Sequence, residues 1–217
     1  MGVRGIADNV EAPAPVHPLA RKIKAVNVDN KSVVVNRPGV ITLLLGTNAD
    51  SQDAARAAGG AVYPLQGRRD FQLVVVVDLR DSIATWVPSV VLAEMRSNLD
   101  KEVPDLKPYF LKNGNKGNPR ANQCVIADFS GTICPQLDWP DGSDDLRGIL
   151  FGADGGELKR WSKIEDMTKL QEDVRAAILK FDATKEAKTE AAAKTHGTKL
   201  VQPPAPPPPL PPPAKTN

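Results

Sequence analysis

The sequence predicts an α/β fold, a three-layer sandwich with a mixed central sheet and an N-terminal hairpin. Three observations predict it. Residues 40–45 and 71–77 are near-continuous apolar runs, the pattern of strands covered on both faces. Between them residues 50–58 are alanine-rich and helix-forming, which gives a β-α-β unit with parallel strands. Further on, the turn-rich segments 128–131 and 154–156 each separate two short β-prone runs, as in antiparallel pairs.

Taken in order, residues 1–18 mix Ala, Pro and charge without periodicity and read as a flexible arm. A folded domain is expected over 19–182. It opens with two β-prone runs, 25–28 and 32–35, about an Asp29-Asn30 turn. Pro38-Gly39 punctuates before the strand 40–45. The alanine-rich helix 50–58 should close at Gly59-Gly60. Residues 71–77 form the clearest strand. Val91, Met95, Leu99, Val103, Leu106 and Phe110 then recur at helical spacing. Pro104 predicts a break near Val103 and a second short helix beyond it. Residues 113–120 have loop chemistry throughout. Residues 124–127 should pair with 132–134, and 149–151 with 157–161. Ser162 and Glu165 fit a capping box for a last helix, whose stripe is Met167, Leu170, Val174, Ile178 and Phe181. Residues 183–201 are a charged helical or disordered linker, and 202–217 a proline-rich tail in polyproline II.

Bulk properties exclude more than they assign. The 217 residues are 41% hydrophobic and 25% charged, an ordinary globular composition that can bury a core. A net charge of +2 gives no electrostatic footprint for nucleic acid, and the basic segment 113–120 lacks aromatics for base stacking. No apolar run is long enough to insert in a membrane. The N-terminus has no signal-like apolar stretch and, with Ile6 where Ser or Thr is wanted, no myristoylation pattern. The expectation is a cytoplasmic protein, or a periplasmic one if a signal was removed.

Only two histidines exist, His17 and His196, both in predicted tails. That excludes histidine-based triads and histidine-bearing zinc sites from the folded region. No catalytic residue, metal site or cofactor is expected. Residues 138–145 gather carboxylates, but not at the EF-hand spacing, and read as a solvated acidic loop. The candidate ligand-binding residues are Thr47, Asn48, Asp50 and Ser51 at the end of the first parallel strand, with Asp81 and Trp86 after the next. Amides that open a helix favour anions, and α/β sheets keep ligand crevices at carboxyl strand ends. The plainer role of Asn48 or Asp50 is capping, and that of Trp86 is packing under the helix that follows. Cys124 and Cys134 are the only thiols. On a tight hairpin they would point to opposite faces, so two reduced cysteines are expected. Pro208-Pro209-Leu210-Pro211 suits a proline-recognition module, or a stiff spacer.

Residues 22–178 resemble the thioredoxin-like redoxin superfamily, nearest to the poorly characterised YtfJ-type proteins that lack the paired cysteines. The resemblance rests on 43–47, on 75–78 with Asp81, on 125–131 and on 149–156. It implies that Ser51 and Ala54 stand where such proteins carry their two cysteines. It also implies a proline before the third central strand, where this chain reads Asp144-Asp145-Leu146-Arg147-Gly148. Thioredoxin chemistry needs a thiolate at a helix N-terminus and a second thiol to resolve it. The expected function is therefore a non-catalytic domain binding an unidentified protein or small molecule. Two alternatives stay open: a thiol oxidoreductase or peroxidase-type redoxin using Cys124 or Cys134, and an adaptor tethered through its proline-rich tail.

Overall fold

The computed structural model describes residues 22–80, 82–140 and 143–196. The predicted arm 1–18 and tail 202–217 lie outside them, as do His17, Asp81 and Asp141. A first compact unit extends to Lys180 and a second begins at Phe181.

The first unit starts with an antiparallel hairpin, β1 (Lys24–Val26) and β2 (Ser32–Val34). Asn27 builds its turn, because its Oδ1 accepts the amides of Asp29 and Lys31 at 3.1 and 2.9 Å. Asn30 takes a left-handed φ of 60°, which asparagine tolerates better than most residues. Then follow β3 (Ile41–Thr47), α1 (Gln52–Ala61), β4 (Phe71–Asp78), α2 (Pro88–Lys112), β5 (Cys124–Asp128), α3 (Ile133–Gln136), β6 (Arg147–Phe151), β7 (Glu157–Trp161) and α4 (Met167–His196). The sheet order is β5-β4-β3-β6-β7. Strands β3, β4 and β5 are parallel, whereas β6 runs antiparallel to β3 and β7 antiparallel to β6. A β-α-β unit followed by an antiparallel pair and a closing helix, on a mixed sheet in this order, is the thioredoxin-like arrangement.

Right-handed crossovers from β3 to β4 and from β4 to β5 proceed in one direction across the sheet, so α1 and α2 share a face. Leu43, Leu45 and Leu150 are buried beneath it, as are Ala58 of α1, Val62 just after it, and Leu170, Val174 and Ile178 of α4. The Gln171 amide of α4 donates to the Ala61 carbonyl and ties the two helices. Leu44, Val74, Val76, Ile126 and Ile149 alternate to the other face and form one core with the hairpin, α3 and Trp139. The hairpin also covers the sheet edge, where the Val28 amide donates to the Val125 carbonyl at 2.9 Å.

Four elements differ from the sequence expectation. Helix α1 runs through Gly59-Gly60, because Ala58 and Val62, both wholly buried, hold its last turn to the core. Helix α2 is continuous for 25 residues despite Pro104 and Pro108. Both prolines are exposed while Leu99, Leu106 and Phe110 are buried, so the lost ladder bonds lie on the solvent side. Residues 132–134 do not pair with β5. Asp128 instead accepts the amides of Thr132 and Ile133 at 3.0 and 2.8 Å, and its carboxylate starts α3. Helix α4 begins later than the capping box proposed. Ile164 is buried in extended chain, with its amide donating to Leu146 at 2.7 Å, and Asp166 is the cap, accepting the Lys169 amide at 2.9 Å.

In the second unit, residues 181–196 complete α4. Residues 183–190 are all exposed and rich in Ala, Lys and Glu. Lys185 lies over the Phe181 ring, 5.7 Å from its centre.

Candidate functional site at the strand ends

Strand β3 ends at Thr47, and the four residues after it are organised by one side chain. The Asn48 Oδ1 accepts the amides of Asp50 and Ser51, both at 3.0 Å, and the Ser51 hydroxyl at 2.9 Å. The Asn48 amide donates to Ser51 Oγ at 3.1 Å, and Thr47 Oγ1 lies 3.0 Å from the same oxygen. Asn48 thus closes the turn ahead of α1, but the capping expected of Asn48 or Asp50 is not formed: Ser51 is the N-cap residue and no side chain caps the helix there. The amides Asn48 occupies are those of Asp50 and Ser51, ahead of the first helical residue Gln52. Ser51 and Thr47 are buried and satisfied, so neither of these hydroxyls faces outward.

Around this turn lies an open recess with about 570 Å3 of unfilled space, lined by Asn48, Asp50, Asp78, Ser82, Ser143 and Asp144. The side-chain amide of Asn48 bridges it to the loop before β6, donating to Asp144 Oδ1 at 3.1 Å. Three carboxylates line the recess. Arg80 neutralises one of them, with Nε 3.0 Å and Nη2 2.7 Å from the Asp78 oxygens, and holds the Asp78 carboxyl below its usual range. Among the described residues no group of three or more His, Cys, Asp or Glu could hold a metal ion.

Of the sequence-predicted residues, Thr47, Asn48, Asp50 and Ser51 come together here, and Asp81 lies outside the described residues. Trp86 does not pack under α2. It ends a 3-10 turn, Ile83–Trp86, and is 88% exposed. Pro88 sets the first helical turn, and the inward stripe of α2 is made of later residues, so the indole is left outside it. Val87 and Val90 are exposed beside it in sequence.

The cysteines sit elsewhere. Cys124 opens β5 and Cys134 lies in α3; both are buried and free. Because α3 is a helix, the hairpin register that would have separated them does not arise. Burial pushes both thiols up to about 11, and for Cys134 the neighbouring Asp78 carboxylate, 3.6 Å from its sulfur, adds to the shift. Neither sulfur stands at the N-terminus of α1.

Sequence reading missed three side chains. Trp139 belongs to the supposed acidic loop but is buried, its ring packed so closely on Gly46 that a β-carbon there would lie 2.4 Å from it. Arg147 is 5% exposed, with its guanidinium 5.4 Å from the Trp139 ring centre and donating to the Pro140 carbonyl at 2.7 Å. Nothing in the local pattern marks this pair. Arg120, assigned to a flexible basic loop, makes a two-pronged ion pair with Asp29 at 2.8 and 2.6 Å and another with Asp100 at 2.8 Å.

No protein-family model matches the chain, and no curated protein matches it. Solved structures with a similar course include dsbF from MTB in its mixed oxidized and reduced forms, 13% identical over 74% of this chain and 98% of that one, with a TM-score of 0.49. A putative thioredoxin from Neisseria meningitidis is 17% identical over 76% and 93%, at 0.46. ScoI of Arabidopsis thaliana with copper bound is 12% identical over 75% and 99%, at 0.45. At these identities and scores the likenesses say nothing of activity, and the fold rests on the strand order described above.

Proposed function

We infer that this chain is a thioredoxin-like domain that works by recognition, not by thiol–disulfide exchange. The observation that supports it most is the fate of the reactive corner. The turn that opens α1 is closed by Asn48 and Ser51, while both thiols are buried with pKa values near 11. At pH 7 a thiol of that pKa is ionised in about one molecule in ten thousand, and the thiolate is the reacting species. The strand-end surface is the recognition site in this reading. Asp50 and Asp144 supply acceptors, Asn48 fixes the loop, and Trp86 with Val87 and Val90 offers an apolar anchor to a protein partner. Within the superfamily the cysteine-less YtfJ-type proteins are the kin this reading implies.

Insulin reduction and peroxide consumption by the full-length protein test it. The expected turnover is that of buffer. Turnover above buffer that disappears in Cys124→Ser or Cys134→Ser would establish the redox alternative instead.

A further inference from the structure

Helix α2 is fixed firmly at two places. Near its C-terminus Phe110 packs against Gly67, whose φ of 87° suits only glycine and whose missing β-carbon would lie 2.6 Å from the Phe110 α-carbon. Asn113, just beyond, donates to the carbonyls of Pro64 and Gln66 at 3.0 and 2.7 Å. Toward its N-terminal half, Arg96 donates to the Val28 carbonyl at 2.6 Å and Asp100 pairs with Arg120. Between these points α2 stands off the sheet and leaves a cleft open to solvent. Its floor is Leu73, Val75 and Val77 of β4 with Val125 of β5, and α1 and α2 are its walls. All three β4 residues are only half-buried, although they lie on the inner face of a central strand.

Two charged side chains interrupt this apolar lining, Arg56 of α1 and Glu102 of α2. Glu102 lies three residues after Leu99 and four before Leu106, on the stripe of α2 that faces the cleft. It accepts a hydrogen bond from the neutral Gln123 side-chain amide, which donates to Oε2 at 3.1 Å. No cation lies within ion-pair distance of it among the described residues, and the nearby Arg56 is paired with Asp53 at 2.8 Å. The Gln123 Oε1 is itself buried without a hydrogen-bond partner. Beside the Gln123 amide, the polar end of the cleft therefore holds a carboxylate without an ion-pair partner among the described residues and a carbonyl oxygen without a hydrogen bond. A buried acceptor without a donor is costly, and a charge-assisted hydrogen bond is the strong way to satisfy it.

We propose that this cleft binds a small apolar primary amine, its hydrocarbon body on Leu73, Val75 and Val125 and its ammonium donating to Glu102 and Gln123. With Arg56 taken by Asp53, Glu102 selects this occupant over others: a carboxylate would meet it, and a hydrocarbon would leave the Gln123 oxygen unmet. The site meets the strand-end turn only at Thr47, and its test reads amine binding whether or not the thiols are inert.

The test uses the full-length protein at pH 7, with tryptamine and two probes of matched body, the indole alcohol tryptophol and indole-3-propionate. Binding is measured by calorimetry and by ligand-observed NMR. Tryptamine is expected to bind at least about tenfold tighter than either counterpart, the difference a charge-assisted contact supplies. Glu102→Gln should bring tryptamine down to the level of the alcohol. Gly59→Leu should abolish binding of all three probes while the circular dichroism spectrum is kept, since a β-carbon there is 3.8 Å from Leu73 and has room. Equal affinity for the three probes, or tryptamine affinity unchanged in Glu102→Gln, overturns the proposal. So does tryptamine binding that survives Gly59→Leu. Binding that appears only on dilution of the protein would show a second copy covering the cleft and would also overturn it.

Discussion

At the scale of single residues, three contacts make predictions of known sign. Gly46 lies under the Trp139 ring with no room for a methyl group, so Gly46→Ala should destabilise the fold by about 1–3 kcal/mol through overpacking. Urea denaturation checks it, and no loss would mean the indole moves aside freely. Asp78 is held below its ordinary pKa, mainly by hydrogen bonding from Arg80. Its ionised form therefore stabilises the folded state above the unfolded-state pKa of about 3.9, and that stability fades as pH falls through the lower folded value. The melting temperature of Asp78→Asn should fall below that of the wild type at pH 7. The gap should narrow below about pH 4 as the wild-type carboxyl protonates. A gap of the same size at pH 2.5 would remove the carboxylate as its cause. The same Asp78 raises the Cys134 thiol, so Asp78→Asn should also speed alkylation of Cys134 relative to Cys124. Glu102 was not legible at this scale, because the stripe read from the sequence runs through Leu99, Val103 and Leu106 and passes it by. Nor were Trp139 and Arg147, because their partnership crosses from a loop to a strand and depends on the bare backbone of Gly46.

At the scale of elements, the strands were legible and the helix limits less so. Apolar runs located β3 and β4 because a strand buried on both faces needs nothing else to declare it. Val76→Ala, in the buried centre of β4, should cost about 2–3 kcal/mol. A change under half a kilocalorie would contradict its burial. The errors came where a side chain took over a backbone role. Asp128 capping α3 turned an expected strand into a helix, and Asp166 capping α4 displaced an expected capping box by several residues. Sequence proximity cannot show which of several nearby carboxylates will reach the orphaned amides. Helix α2 failed for another reason. Proline cost was weighed as if the helix stood alone, whereas burial of Leu99, Leu106 and Phe110 carries the chain across Pro104 and Pro108. In a continuous helix an exposed proline is a burden, so Pro104→Ala should raise stability by about 1–3 kcal/mol. At the first turn of a separate helix the same change would give nothing, and a null result in thermal denaturation would restore the broken helix.

At the scale of the whole molecule, the first unit keeps a thioredoxin-like sheet order while its chemistry is distributed differently from what that fold needs for redox work. The strand end carries a turn closed by Asn48 and an acidic recess. The thiols are placed in the core, on β5 and α3, where packing and not reactivity accounts for them. In the proposed reading, surfaces carry the function: the Trp86 corner for a protein partner, and the α1–α2 cleft for an apolar amine. No helix among the described residues is long and apolar enough to cross a membrane. The central claim is that no competent thiolate exists on this scaffold. The pH dependence of alkylation in the native full-length protein, resolved for Cys124 and Cys134 by mass spectrometry, tests it most directly. The account predicts that neither rate levels off below pH 10, in keeping with thiols near 11. A plateau with its midpoint below pH 8 at either cysteine would contradict it.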